Sequence, residues 1–217
     1  MIVVDCVQGT EEWANARRGV ITASRMGDIL TPKTLEIGAA AKSYAYQLIA
    51  ESIVPPHYWI DEDTRTPAMQ HGSLTEREAR DYFAFDTGCE VEQVGFCLSD
   101  DRRFGCSPDA LVNDGGGLEL KCPLHKTQVE YLLKGTLPDK YKAQVHGSML
   151  VTRKTHWWFM SYAAGLPPLV VRVELDEYTQ KLAEALEKFW AMLAEMKAKI
   201  QPGDPVATNQ IPQESYW

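Results

Sequence analysis

A chain of 217 residues, 45% hydrophobic and 24% charged, has room for one globular domain with a sizeable core and is neither fibrous nor unfolded in composition. Its formal charge of −8 weighs against a body that grips nucleic acid non-specifically, yet allows a carboxylate metal site beside a locally basic groove. No apolar run reaches the roughly 18–20 residues that cross a bilayer. Met1 to Glu12 carries Asp5, Glu11 and Glu12 and no basic residue, unlike a secretory leader, so the cytoplasm is the expected compartment and no membrane partner is expected. Cys6, Cys89, Cys97, Cys106 and Cys122 form no C-x-x-C pair and are expected as reduced, mostly buried thiols. The histidines show no ligand spacing.

Val20 to Leu30 reads as a helix start, with Thr22 or Ser24 as cap and Met26, Ile29 and Leu30 as its apolar face. Ala39 to Ile53 is a second helix that stops before Pro55-Pro56, and Pro55 to Pro67 reads as a loop. A third helix is expected from Met69 to Phe85, burying Leu74, Ala79, Tyr82, Phe83 and Phe85, with Gly88 after its end. Short strands follow at Glu90–Leu98, Arg103–Cys106, Ala110–Asn113 and Leu118–Cys122. Tyr141 to Leu150 returns to helix, and strands His156–Tyr162 and Leu169–Leu175 flank Gly165-Leu166-Pro167-Pro168. A long helix runs from Asp176 to Ile200. Its stripe of Tyr178, Leu182, Leu186, Phe189, Leu193, Met196 and Ile200 reads as core packing. From Gln201 the chain is polar and Pro-rich, so 201–217 is expected as a loose tail. The order of elements gives an α/β (α+β) fold, one domain over residues 1–200 with a central mixed β-sheet flanked by helices.

The stretch that carries chemistry is Cys106-Ser107-Pro108-Asp109, then Asp114-Gly115-Gly116-Gly117, then Leu118-Glu119-Leu120-Lys121. The glycines supply the positive φ of a tight hairpin. Folding about Gly115 sets residue 109 opposite 121 and 111 opposite 119, which puts Asp109, Glu119 and Lys121 on one face. A hard cation such as Mg²⁺ takes oxygen ligands. Asp109, Glu119 and the Leu120 carbonyl can supply them, while Lys121 holds a water or stabilises charge on phosphorus. A bare D…ExK match also describes an exposed hairpin with a lysine–carboxylate pair. Two details favour the site: Leu118, Leu120 and Cys122 make the strand apolar, and Pro108 fixes the backbone before Asp109.

S-P-D followed after nine residues by E-L-K resembles the PD-(D/E)XK nuclease superfamily, whose core is restriction-endonuclease-like. The wider text is similar to the lambda-type phage exonuclease (YqaJ-like viral recombinase) family. The segments that carry the likeness are Trp13 with Arg17 to Ser24, His71-Gly72 to Glu76, Cys106 to Asp109, Gly117 to Pro123, Ala143 to Met149, Val151 to Lys154, and Trp157. The resemblance implies a Mg²⁺-dependent 5′→3′ exonuclease on double-stranded DNA ends that leaves 3′ single strands. It further implies two metal ions, with Mn²⁺ able to substitute, a homotrimeric ring, and a single-strand annealing protein as recombination partner. Its helix glutamate falls on Glu76, with Glu78 as the near alternative. Its 5′-phosphate pocket falls on Arg17, Ser24, Ser107 and Gln144, selecting Arg17 over Arg18. Met69 stands at its strand-separating wedge, and His71 replaces an aromatic residue. Other readings are a PD-(D/E)XK endonuclease or resolvase, a non-catalytic DNA-end-binding module, and a glycosidase using Asp109 and Glu119, in which Lys121 has no role.

Overall fold

The computed structural model describes residues 1–31, 34–58 and 67–201, with backbone alone for 67–74. The side chains of Met69, His71 and Leu74, and the tail beyond Gln201, lie outside the described residues.

The fold is mixed α/β, with two mixed sheets in place of the single central sheet expected. The four-stranded sheet has the order β1 (Ile2–Val4), β4 (Phe96–Leu98), β5 (Phe104–Cys106), β2 (Ile21–Thr22). The five-stranded sheet has the order β3 (Val91–Glu92), β6 (Ala110–Val112), β7 (Gly117–Lys121), β8 (His156–Ser161), β9 (Leu169–Glu174). Two parallel pairings, β2 with β5 and β7 with β8, join segments far apart in sequence. The other pairs are antiparallel. The chain leaves β5 in one sheet and enters β6 in the other through Ser107-Pro108-Asp109, so the S-P-D segment marks the junction of the sheets.

The helices are α1 (Glu11–Arg17), α2 (Ala40–Ile53), α3 (Pro67–Thr87), α4 (His125–Lys134), α5 (Asp139–Thr152) and α6 (Glu177–Ile200). Buried residues run through most of α5, as expected of a helix enclosed on several sides. Val145 and Met149 pack with Trp157 and Phe159 of β8. Ala143 and Val151 pack with Cys97, Cys106, α2 and α6. Ala79 and Phe83 of α3 cover the opposite face of the five-stranded sheet, against Leu118, Leu120 and Met160. The α6 stripe is core except at its end: Leu182, Leu186, Phe189 and Leu193 are buried, at about 1.5–3 kcal/mol each, Tyr178 and Met196 pack half-buried against that core, and Ile200 is exposed rather than buried as expected. Asp176 and Thr179 close a capping box at its start.

Several elements differ from expectation. Val20 to Leu30 is no helix start: Ile21–Thr22 pairs with Phe104–Gly105 as β2, and a six-residue 3₁₀ helix follows at Ala23–Asp28. Thr22 stands before that turn without a side-chain capping bond, and Ser24 lies inside it. Glu90 to Leu98 is two strands, one in each sheet. Tyr82 and Phe85 of α3 are exposed instead of buried. Of the thiols, Cys97 and Cys106 are buried, and the other three are half-buried. Strand β1 and helices α1 and α4 lie outside the elements expected from the sequence; α1 buries none of its residues and so shows no apolar stripe. Among the described residues no helix is long and apolar enough to cross a membrane.

Gly117, where β7 begins, lies under the ring of fully buried Trp157. An added Cβ would fall 2.3 Å from Trp157 Cη2. Gly117→Ala should therefore destabilise by about 1–3 kcal/mol through overpacking, lowering Tm by about 2–12 °C. Thermal unfolding measures this, and an unchanged Tm would contradict it.

Candidate active site

The β6–β7 pairing is shifted by two residues from the register expected. Ala110 faces Leu118 and Leu111 faces Gly117, which continues to Asp109 beside Glu119 rather than Lys121. A two-residue shift preserves the side-chain face, so Asp109, Glu119 and Lys121 still share one side of the sheet. The Asp109 N–H reaches the Leu118 carbonyl at 3.1 Å. One residue further back, Pro108 has no N–H with which to extend the ladder. The Leu120 N–H donates instead to the Asp109 carboxylate, Oδ2, at 2.6 Å. Within a strand the N–H and C=O of one residue point to the same edge. The Leu120 carbonyl thus points to the Asp109 side, away from β8, whereas the Lys121 carbonyl accepts from the Tyr162 N–H on the β8 side.

Glu119 is 2% exposed, and its Oε1 accepts from Lys121 Nζ at 2.5 Å and Gln144 Nε2 at 2.6 Å. Burial and then the Glu119 charge push the Asp109 carboxyl up to about 8, against the pull of Lys121 and the Leu120 N–H; Glu76 adds to the rise. Burial works against the Lys121 ammonium, but Glu119 and Asp109 outweigh it and hold its pKa above the usual lysine range. Two crowded carboxylates beside an inward-facing carbonyl are a donor set suited to a hard divalent cation, which would relieve their repulsion. Among the described residues no three His, Cys, Asp or Glu side chains form a cation cluster. Such an ion would rest on Asp109, Glu119 and the Leu120 carbonyl, with water and substrate oxygens completing it. Half-buried Glu76 on α3 acts on Asp109 through its charge and stands outside that set. Glu78 turns to the Tyr162 hydroxyl, which donates to it at 2.5 Å.

At the other end of the S-P-D segment, Arg17, Ser24 and Ser107 come together. Arg17 Nη1 donates to Ser107 Oγ at 2.9 Å, and Nη2 to Ser24 Oγ at 3.3 Å. The guanidinium lies over the Trp13 ring, 4.3 Å from its centroid, while Trp13 Nε1 donates to Ser107 Oγ at 2.8 Å. Trp13 and Arg17 are one turn apart on α1, which fixes the stack. Arg18 takes the other direction, donating to Asn15 Oδ1. Ser24 is exposed, so the group opens to solvent. Burial lowers the Arg17 pKa below the ordinary guanidinium range. Gln144 stands apart from this trio, bonded to Glu119.

The 3₁₀ helix that presents Ser24 lies close on α5 because residue 147 is glycine: a Cβ there would fall 2.3 Å from Met26 Sδ. Sequence reasoning missed Trp13 as the stacking partner of Arg17, although Thr10 with Glu11 and Glu12 is a helix-start signal and the i, i+4 spacing was legible. It also missed Gln8, whose Nε2 donates to the Pro108 carbonyl at 2.8 Å and steadies the S-P-D turn. No signal at position 8 would have found it.

The model of the YqaJ-like viral recombinase domain matches residues 12–155. Among solved structures, LHK-Exo in complex with dAMP is 30% identical, with TM-score 0.76, over 88% of this chain and 96% of that one. The alkaline exonuclease LHK-Exo from Laribacter hongkongensis is 32% identical, with TM-score 0.71, over 88% and 98%. A phage related exonuclease from Haemophilus somnus 129PT is 13% identical, with TM-score 0.59, over 82% and 96%, a likeness of fold alone. No curated protein sequence matches.

Proposed function

The chain belongs to the YqaJ-like viral recombinase family, and from that membership and its site we propose that it is a Mg²⁺-dependent exonuclease on double-stranded DNA ends. It works 5′→3′ as one nuclease domain over residues 1–200, leaving 3′ single strands for a single-strand annealing partner in phage-type recombination in the cytoplasm. The observation that carries the reading is the placement of two chemistries at the two ends of Ser107-Pro108-Asp109: a guanidinium–hydroxyl group for a terminal phosphate and an acidic pair for a cation. That LHK-Exo was crystallised with dAMP, a mononucleotide such a step would release, supports it.

Asp109, Glu119 and the Leu120 carbonyl would hold the first ion, and Glu76 would serve a second, with Mn²⁺ able to replace Mg²⁺. Bound there, a cation would act as a Lewis acid, acidifying water and polarising the scissile phosphate. Lys121 donates an N–H to the attacking water or to a phosphoryl oxygen as negative charge grows there. Gln144 keeps Glu119 oriented. Arg17, Ser24 and Ser107 bind the terminal 5′-phosphate and so set which internucleotide phosphorus lies over the acids. Water attacks that phosphorus, its bond to the 3′ oxygen breaks, and a mononucleotide leaves. The shortened strand then carries a new 5′-phosphate for the same pocket. Met69 as strand-parting wedge belongs to the same reading.

Linear duplex DNA labelled at either end, with Mg²⁺ or EDTA, tests the proposal. Mononucleotides should leave from the 5′ ends with Mg²⁺ alone, and supercoiled circles should stay intact. Cut circles would point to an endonuclease, and no release to an end-binding module.

The charge bears on assembly. An open groove would have to hold DNA by many Lys and Arg contacts, whose grip falls steeply with salt, and a chain with 22 basic and 30 acidic residues is ill-suited to supply them. A ring around the duplex needs no tight grip, so the chain should form a cyclic homotrimer, basic residues lining the channel and acidic ones outside. Light scattering should give three times the 24.4 kDa chain mass. A monomer that stays processive on long DNA would contradict the ring.

A further inference from the structure

The Lys121 ammonium has neighbours from two different elements. Glu119 Oε1 takes one N–H at 2.5 Å. The face of the Tyr141 ring is the other, its centroid 5.1 Å from Nζ, inside the roughly 6 Å reach of cation–π attraction. Tyr141 stands in the first turn of α5, three residues before Gln144, so both side chains leave one face of the helix. That face meets β7 residue for residue. Gln144 bonds Glu119, and Tyr141 lies over Lys121. Other rings hold Tyr141 in place: Phe159, the β8 partner of Glu119, is 5.4 Å away, and Tyr131 of α4 meets it edge-on at 6.4 Å.

Resting on the catalytic role proposed above for Lys121, we infer that Tyr141 is the positioning residue for its ammonium, acting through the face of the ring. An ammonium has three N–H donors and no acceptor. A second carboxylate at this place would take another N–H in a fixed bond. A ring face attracts the charge without fixing a donor axis, which keeps N–H groups for water and phosphate. It also restrains a flexible four-carbon side chain, whose freedom would otherwise be lost on each catalytic cycle. Lys140 is the competing cation on this ring, its Nζ 4.8 Å from the Tyr141 centroid and 5.5 Å from that of Tyr131.

The test compares Tyr141→Phe, which keeps the ring face and loses the hydroxyl, with Tyr141→Leu, which loses the face. Tyr141→Phe should cleave linear duplex at close to the wild-type rate. Tyr141→Leu should lose kcat by about 3- to 30-fold, with KM changed by less than about twofold. A readout independent of turnover is NMR of the metal-free protein. The Lys121 side-chain methylene protons should be shifted upfield by the ring in wild type and Tyr141→Phe, and return to ordinary lysine positions in Tyr141→Leu. Absence of that shift in the wild type would overturn the inference even if Tyr141→Leu failed to fold. Equal kcat losses in the Phe and Leu variants would assign the effect to the hydroxyl. An equal loss in Lys140→Ala would assign the ring to Lys140. Full kcat in Tyr141→Leu beside an inactive Lys121→Ala would likewise overturn it. If Lys121→Ala turned over normally, the catalytic reading itself would fail, whereas the ring-current shift would still report whether Tyr141 holds the ammonium.

Discussion

Asp109→Asn should slow DNA cleavage by about 10²- to 10³-fold, and at the same time make the metal-free protein more stable. Both effects come from one feature. The Asp109 carboxyl is pushed up to about 8 by burial and by Glu119 beside it, from an ordinary value of 3.8. Between those pH values the folded state carries a proton that the unfolded state has lost. The contribution of Asp109 to the stability of the metal-free protein therefore falls as pH rises from about 4 to about 8. Asparagine has no charge to desolvate, and its carbonyl can still accept the Leu120 N–H that Asp109 takes at 2.6 Å. Thermal unfolding in EDTA at pH 8 should show the variant above wild type. Mg²⁺ should raise the wild-type Tm, because the cation binds the folded state alone, and leave the variant unmoved. Glu119→Ala should be equally inactive but less stable, since it strips Lys121 and Gln144 of their shared acceptor. Normal turnover in Asp109→Asn would remove Asp109 from the site. An inactive variant with a Tm well below wild type would mean that Asp109 serves the fold instead.

Legibility in the sequence followed the range of the interactions. The α6 stripe and the β6–β7 hairpin are local patterns, and both formed where their periodicity and glycines put them. The hairpin face survived a register error because a shift of two residues leaves side chains on the same side. Ile21–Thr22 could not be read as a strand, because its partner Phe104–Gly105 lies some eighty residues away and two residues carry no period. Helix α1 buries none of its residues, so it shows no apolar stripe, and exposed Val129 and Leu133 blur that of α4. Arg17 and Arg18 are alike as letters. What separates them is Trp13, one turn earlier, which offers its ring to Arg17 and leaves Arg18 to Asn15. The acidic pair was legible as a pattern. Its coupling to Gln144 depends on α5 packing across β7, which no spacing reveals.

Arg17→Ala should erase the preference for a 5′-phosphorylated over a 5′-hydroxyl end, a loss of about 10- to 150-fold, because a charge-assisted hydrogen bond contributes about 1.5–3 kcal/mol. The guanidinium is prepared for a planar, two-pronged contact. The Trp13 ring fixes its plane, and the hydroxyls of Ser107 and Ser24 fix its two ends. A terminal phosphate arriving at exposed Ser24 would find these donors already converged, so little side-chain entropy is lost on binding. Arg17→Lys should recover part of the discrimination, since it restores charge without the fork. Arg18→Ala should leave the discrimination intact, because that side chain turns to Asn15. The quantity to measure is the ratio of kcat/KM on duplexes that differ only in the 5′-phosphate. Loss of the ratio in Arg18→Ala with retention in Arg17→Ala would place the pocket elsewhere. An equal fall on both ends in Arg17→Ala would show that the arginine supports the S-P-D turn rather than reading the phosphate.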